Sequence, residues 1–500
     1  MSLRTWTASL ALAALAACGT VKGDDAPGDD MPDVDTTPPQ LMTSTPGDAG
    51  TKVSLLAPFT FVFDEDLDAS TVTDQAIQVT WVTNNFTGIS ALNLGYSMPV
   101  PGVVTFDAAS RTITFDPTFP LNPNQRYVVR IADTIADAAG NKFAGKDLSF
   151  NTVTNQTVKR VGYNTSTSAV SYWQSYAIDN NGHQSRVVNF SGPGVDNIWL
   201  NSDDAASAHY EYVYAASGSL LEYRNYTAGA DGVYNTGDDA ISYFEKHVLD
   251  AMGRESEYSY TDAPGPDAMW GTADDPINGY QRYSYMPGKI RFMYFSGAGN
   301  DGMWRTPDDR VTSYQEYTVD ARGLRTRYST FNAGADQLPD TTDDRMTSYQ
   351  DYEYDAKGNQ TFTRRYNNAG PDMTWMTADD VTSYIQKWTI DANGFPASYS
   401  FYNAPGTDTI WNTADDVISS YYQYTYSAQG LVTSQTIFNG SGADRVWGTA
   451  DDEVGYYHTY TYDQNGQRTD YKYYGAPGAD NVWKTGDDRV AQDEDFDVAH

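Results

Sequence analysis

Between residues 194 and 488 the chain repeats one acidic pattern nine times, Gly-x-Asp-x-x-Trp-x-Thr-x-Asp-Asp. Its carboxylates are Asp196, Asp203 and Asp204; Asp231, Asp238 and Asp239; Asp267, Asp274 and Asp275; Asp301, Asp308 and Asp309; and Asp336, Asp343 and Asp344. Asp372, Asp379 and Asp380; Asp408, Asp415 and Asp416; Asp444, Asp451 and Asp452; and Asp480, Asp487 and Asp488 complete the series. The Asp pairs recur every 34–36 residues. Gly stands in every copy, Trp gives way only to Tyr234 and Pro339, and Thr only to Asn201. Two carboxylates ~5 Å apart repel by ~3 kcal/mol at an effective dielectric of ~20, so three in nine residues call for a compensating partner. Hard oxygen donors without His or Cys suit Ca²⁺, which accepts mixed carboxylate, carbonyl and water ligands. The pattern therefore points to calcium, with all 27 carboxylates as candidate ligands, the Thr hydroxyl and turned carbonyls beside them and Trp as a lid. The spacing matches neither the EF-hand nor the Gly-rich nonapeptide loop. The alternative is that the acids cap turns through backbone N–H groups while Trp packs on the neighbouring loop. Paired carboxylates copied nine times are scaffold rather than one catalytic centre.

These loops need elements to hold them. Midway between them falls Asp-x-x-Gly, as at Asp179–Gly182, Asp320–Gly323, Asp355–Gly358, Asp391–Gly394 and Asp463–Gly466. Asp can hydrogen-bond a turn backbone and Gly can take φ > 0, so each marks a tight turn. Residues one and three places before the turn are mostly aromatic (Tyr462/Tyr460, Tyr426/Tyr424, Tyr354/Tyr352), while those two and four places before are polar. Period two with one aromatic face predicts half-buried strands. A Tyr five residues after the Gly, at 223, 258, 328, 399 and 471, continues the pattern on the return strand. Residues 170–492 thus read as nine hairpins of about 36 residues, each joined to the next by an acidic loop. Segments 154–169 and 493–500 read as connector and tail.

The string Tyr-Asp-x-x-Gly-x-x-Thr, as in Tyr354–Thr361 and Tyr462–Thr469, resembles the YD repeats of Rhs-type surface and toxin proteins. That resemblance implies a strip of antiparallel hairpins coiling into a shell. The acidic loop is a departure from it. Neither a variable C-terminal domain nor a core-cleavage signature is visible, so toxin delivery is not expected.

Residues 35–153 follow a different rule. Phe59–Phe63, Val104–Phe106, Thr112–Phe115, Tyr127–Ile131 and Leu148–Phe150 alternate as strands between turn clusters, at the spacing of a β-sandwich. The phrases Asp35-Thr-Thr-Pro-Pro39, Phe61-Val-Phe-Asp-Glu65, Leu121–Tyr127, Asp137–Asn141 and Phe150-Asn-Thr152 resemble the bacterial Ig-like domain of surface-layer and other secreted proteins. The resemblance implies a spacer or adhesive module. The fold class expected is all-β: an Ig-like sandwich followed by a repetitive antiparallel hairpin array.

Arg4, an apolar run from Trp6 to Ala17 and then Cys18 read as a secretory signal over residues 1–17, too short to span a bilayer. Leu15-Ala-Ala-Cys18 resembles the bacterial lipobox, which implies lipid attachment at Cys18, the chain's only cysteine. Gly19 follows rather than Asp, so an outer-membrane, surface-exposed location is expected. Residues 18–34 hold little to bury and form an acidic tether.

Sixty-six acids against 32 bases leave a net charge of −34, which argues against nucleic acid as a partner. A single Cys removes disulfide frameworks and Cys-based zinc sites. The expected protein is a lipid-anchored structural or adhesive module of the cell envelope. Its expected partners are the membrane, through the lipid, and a surface glycan or another envelope protein. An envelope polysaccharide-active enzyme would show one unrepeated Asp/Glu or His cluster, and the sequence displays no catalytic constellation. An 18-strand outer-membrane barrel is a third alternative, weakened by a Tyr/Thr-rich apolar face.

Overall fold

The computed structural model describes residues 35–498 apart from 83–96, 124, 154–156, 181, 216–218, 252–253, 321–323 and 357. Cys18, the signal and the tether lie outside the described residues.

The first domain is built from β1 (Leu41–Thr45), β2 (Gly50–Val53), β3 (Phe59–Phe63), β4 (Ile77–Val82), β5 (Ser97–Pro99), β6 (Gly102–Asp107), β7 (Thr112–Pro117), β8 (Arg126–Ile131) and β9 (Lys146–Thr152). Two sheets, β1-β3-β7-β6 and β2-β9-β8-β4-β5, face each other. Alternation decides the faces: Phe59, Phe61 and Phe63 point inward and meet Ile113, Phe115, Tyr127, Ile131 and Phe150 in one buried core. Phe59 stacks on Phe115 at 5.8 Å, and its edge meets Phe150 at 5.1 Å. The acidic run after β3 stays at the surface, where Arg111 pairs with Asp66 at 2.7 Å.

Twenty strands follow: β10 (Thr157–Asn164), β11 (Ala169–Ile178), β12 (Gln184–Gly192), β13 (Ala205–Tyr214), β14 (Leu220–Thr227), β15 (Ala240–Leu249), β16 (Glu255–Thr261), β17 (Gly279–Met286), β18 (Lys289–Gly297) and β19 (Arg310–Val319). They continue as β20 (Arg325–Asn332), β21 (Arg345–Tyr354), β22 (Gln360–Asn368), β23 (Val381–Ile390), β24 (Pro396–Ala404), β25 (Val417–Tyr426), β26 (Val432–Gly440), β27 (Glu453–Tyr462), β28 (Arg468–Ala476) and β29 (Arg489–Val498). Each pairs antiparallel with its sequence neighbour, and β10 pairs with β29, so the sheet closes into a barrel. The array is therefore longer than the repeat register. β10 lies in the segment read as a connector, and β29 runs through the segment read as a tail. These two unrepeated strands form the seam. Bulges recur near both ends of the hairpins, for instance between Tyr402 and Ala404 and between Thr425 and Tyr426, and extra residues on one strand bend it as closure requires.

The fully described Asp-x-x-Gly turns form as their chemistry predicts, while 321–323 of the Asp320–Gly323 turn lie outside the described residues. Asp391 accepts the Phe395 N–H at 2.8 Å, and Gly394, at φ 96°, donates to the Asp391 carbonyl at 3.1 Å. The Tyr before the turn ties one hairpin to the previous one: Tyr426 and Tyr462 donate to the Pro396 and Val432 carbonyls, both at 2.9 Å.

This turn end of the barrel is where the Ig-like domain sits. Phe119 packs on Phe395 with ring centroids 5.6 Å apart. Trp81, Val100 and Pro101 share a cavity of about 360 Å³ with Tyr354, Trp388 and Ile390. A Cβ on Gly394 would stand 2.9 Å from Thr118, so that turn accepts the sandwich only as glycine.

Candidate functional site

The acidic loops are knots tied by their own carboxylates. The first Asp accepts the N–H two residues on at 2.7–2.9 Å in all nine copies. The second accepts the N–H of the first at 3.0–3.3 Å, again in all nine. Its other oxygen takes the Thr hydroxyl at 2.7–2.8 Å in eight copies. The third accepts the N–H four residues earlier at 2.6–2.8 Å in every copy. Those donors point inward because the residues carrying them, such as Arg305, Met376 and Lys484, have φ of 66–71°. Left-handed backbone costs ~1–2 kcal/mol for a residue other than Gly, and the carboxylate bonds offset it.

In the eight copies that carry Thr, its hydroxyl and the backbone N–H bonds hold the second Asp below the usual carboxylate range, down to about 2 at Asp415. The repeated Gly serves proximity: a Cβ on Gly406 would lie 2.2 Å from the Asp415 carbonyl oxygen. The third Asp also ties the loop to the sheet, since Tyr349 and Tyr457 donate to Asp380 and Asp488 at 2.6 and 2.7 Å. Phe244 and Ile385 occupy the same slot beside Asp275 and Asp416 and have no hydroxyl to give. Trp304, Trp375 and Trp447 lie 5.5–5.9 Å from Tyr280, Tyr349 and Tyr421. In these three loops the Trp covers the strand of its own hairpin.

For a cation two features matter. In one loop the oxygens of Asp267, Asp274 and Asp275 lie within 4.8 Å of one another. In four others the buried Oδ1 of the third Asp (Asp204, Asp416, Asp452, Asp488) has no hydrogen-bond partner.

A second site is one the sequence reading missed. A cavity of about 600 Å³ draws side chains from eight consecutive strands, β15 to β22. Side chains from so many neighbours meet only on the concave side of a curved sheet, so this cavity faces the lumen. Three places before the turn, Tyr212, Tyr283, Tyr317, Tyr352, Trp388 and Tyr424 repeat around that wall, and β15 places His247 there instead. His247 is 5% exposed and lies 2.7 Å from Glu255, itself 1% exposed, with Glu245 at 3.8 Å. Burial works against the imidazolium, but the neighbouring carboxylates of Glu245 and Glu255 prevail and raise His247 to about 9. Burial raises Glu255 as well, so the pair holds its proton. Tyr258 donates to Glu245 at 3.0 Å. The Nε2 of His247 and Oε2 of Glu255 have no hydrogen-bond partner. The departure of His247 from the aromatic slot was the signal available in the sequence.

Residues 35–152 match the family model described as Bacterial Ig-like domain. None of the curated proteins matches the chain. Among solved structures, the chain resembles TcdB2-TccC3-Cdc42 at 13% identity and TM-score 0.26, covering 75% of this chain and 18% of that one. TcdB2-TccC3-TEV aligns at 10% identity and TM-score 0.24, over 87% and 19%. Domains 1-6 of the surface layer protein SbsC align at 11% identity and TM-score 0.17, over 84% and 66%. The chain spans about a fifth of the TcdB2-TccC3 chains it aligns with. The protein is thus an all-β chain in which an Ig-like domain precedes a large closed antiparallel barrel of repeated hairpins.

Proposed function

We propose that this protein is a lipid-anchored structural and binding module of the bacterial cell surface, held to the membrane through Cys18. The observation that carries the reading is the closed barrel with an Ig-like sandwich seated on its turn-end mouth. Closure removes the edge strands that would otherwise pair with other chains, as an exposed protein requires. The outward face carries ion pairs within the strands: Arg291 with Glu316 at 2.9 Å and Lys472 with Asp493 at 2.7 Å. An Arg or Lys facing the bilayer midplane costs ~2–4 kcal/mol, so these walls suit water rather than lipid, and the barrel stands outside the membrane on its tether. Calcium belongs to the same reading as a brace for the acidic loops, held first at Asp267, Asp274 and Asp275, where the carboxylates converge.

The test is surface display in a bacterial host. Intact cells treated with an external protease should lose the barrel, and Cys18→Ser should move the protein from the membrane to the soluble fraction and abolish labelling by a palmitate analogue. A Cys18→Ser protein that stays membrane-bound, or a wild type shielded in intact cells, refutes the reading.

A further inference from the structure

We infer that the luminal cavity beside His247 is a binding site for a short oligosaccharide. Its volume of about 600 Å³ falls within the ~300–1,000 Å³ of small-ligand sites. Two levels of side chains line it. One is a row of phenols, with Tyr283 and Tyr317 buried against their neighbours and Tyr352 half-buried, and the other a row of half-buried amides, Gln281, Gln315 and Gln350. The amides stand two residues before the rings on β17, β19 and β21, so both rows face the lumen at neighbouring heights. A sugar ring presents C–H faces and a rim of hydroxyls that both donate and accept. The half-buried rings of Tyr258, Tyr328 and Tyr352 can cover the first, and amides, which carry a donor and an acceptor each, pair with the second.

Gln315 makes no side-chain hydrogen bond among the described residues. The wall thus offers ambidentate amides within one concavity. Acids and bases alternate there, Glu245 and Glu255 against His247, Arg325 and Arg365, so no single charge selects a polyanion or a polycation. That balance favours a neutral polyol over a nucleic acid or a basic peptide. A barrel of twenty strands is wide enough to leave such a lumen open to solutes, since 16–18 strands already enclose an aqueous channel.

The site names a ligand class for the binding role proposed above and rests on that reading, but its test does not involve the membrane. The full chain carrying Cys18→Ser is titrated by calorimetry with cellohexaose, chitohexaose and maltohexaose. At least one should bind saturably, and Gln315→Ala and Gln350→Ala should each weaken it about tenfold, with unchanged melting in Gln315→Ala, whose side chain holds no hydrogen bond to lose among the described residues. Ser419→Ala, on the outward face, should leave affinity unaltered. Absence of saturable binding for all three sugars, or wild-type affinity in both Gln variants, overturns the assignment. Failure of surface display would leave these titrations interpretable, and failed titrations would leave the display result standing.

Discussion

Closure of the barrel rests on a seam that can be weakened at one atom. β10 and β29 are joined by Arg160, which donates through Nε to Glu494 at 3.0 Å and through a second nitrogen to its other oxygen. Tyr172 and Gln492 also donate to Glu494, whose side chain is only 2% exposed against 30% for Arg160. Burial raises the Glu494 pKa, but the bonds from Arg160 and Tyr172 outweigh it and the net shift is downward. Glu494→Gln keeps the shape and removes the charge. Stranding one member of a buried pair costs about 3–5 kcal/mol, and water reaching Arg160 reduces this to about 2–3 kcal/mol. If the seam opens as a unit, amide exchange in β10 and β29 should quicken roughly 30- to 150-fold, while β20 and β21 on the far wall stay protected. The pH response has a definite sign. A depressed carboxylate contributes stability above its unfolded pKa and loses it as pH falls through the folded value. Wild-type seam protection should therefore fade in acid, and the variant should lack that dependence. Hydrogen exchange followed by mass spectrometry reads all three effects. Wild-type β10 and β29 exchanging as fast as free edge strands, or a variant indistinguishable from wild type, would refute a closed sheet held by this pair.

Two further expectations concern the candidate sites. His247, raised from 6.5 to about 9, contributes ~3 kcal/mol that is fully present below about pH 6.5 and lost as pH rises through about 9. His247→Gln should lower the melting point most at pH 6 and least at pH 10, and equal losses at both would reject the buried ion pair. Calcium at 100 times its Kd would stabilise the fold by ~2.7 kcal/mol, so the melting midpoint of the Cys18→Ser chain should rise on adding calcium and fall with excess chelator. Asp267→Asn should shrink that response. An unchanged midpoint leaves the loops closed by Thr and backbone bonds alone.

Much of this architecture was legible because a repeat multiplies weak signals. The Asp-x-x-Gly turns, the strand alternation and the alternating Phe residues of the sandwich all report local chemistry, and each forms in place among the described residues. The acidic loops were legible as units, but their internal wiring was not. Distances between Thr377 and Asp379, or Tyr349 and Asp380, depend on the left-handed residues of the loop, here Gly370, Met373 and Met376, and on where the loop lands on its hairpin. The luminal cluster escaped for a related reason. His247 and Glu255 lie eight residues apart across a turn, and only strand pairing makes them partners.

What the amino-acid order determined by itself was therefore local: which residues alternate, where the chain turns, and that acids gather at regular intervals. Periodicity alone cannot choose between an open strip and a ring, because each hairpin sees only its neighbours. Tertiary structure made that choice through β10 and β29, two strands outside the repeat whose pairing spans more than 300 residues. Their contact depends on curvature summed over every bulge and twist between them, and no local window of sequence contains that sum.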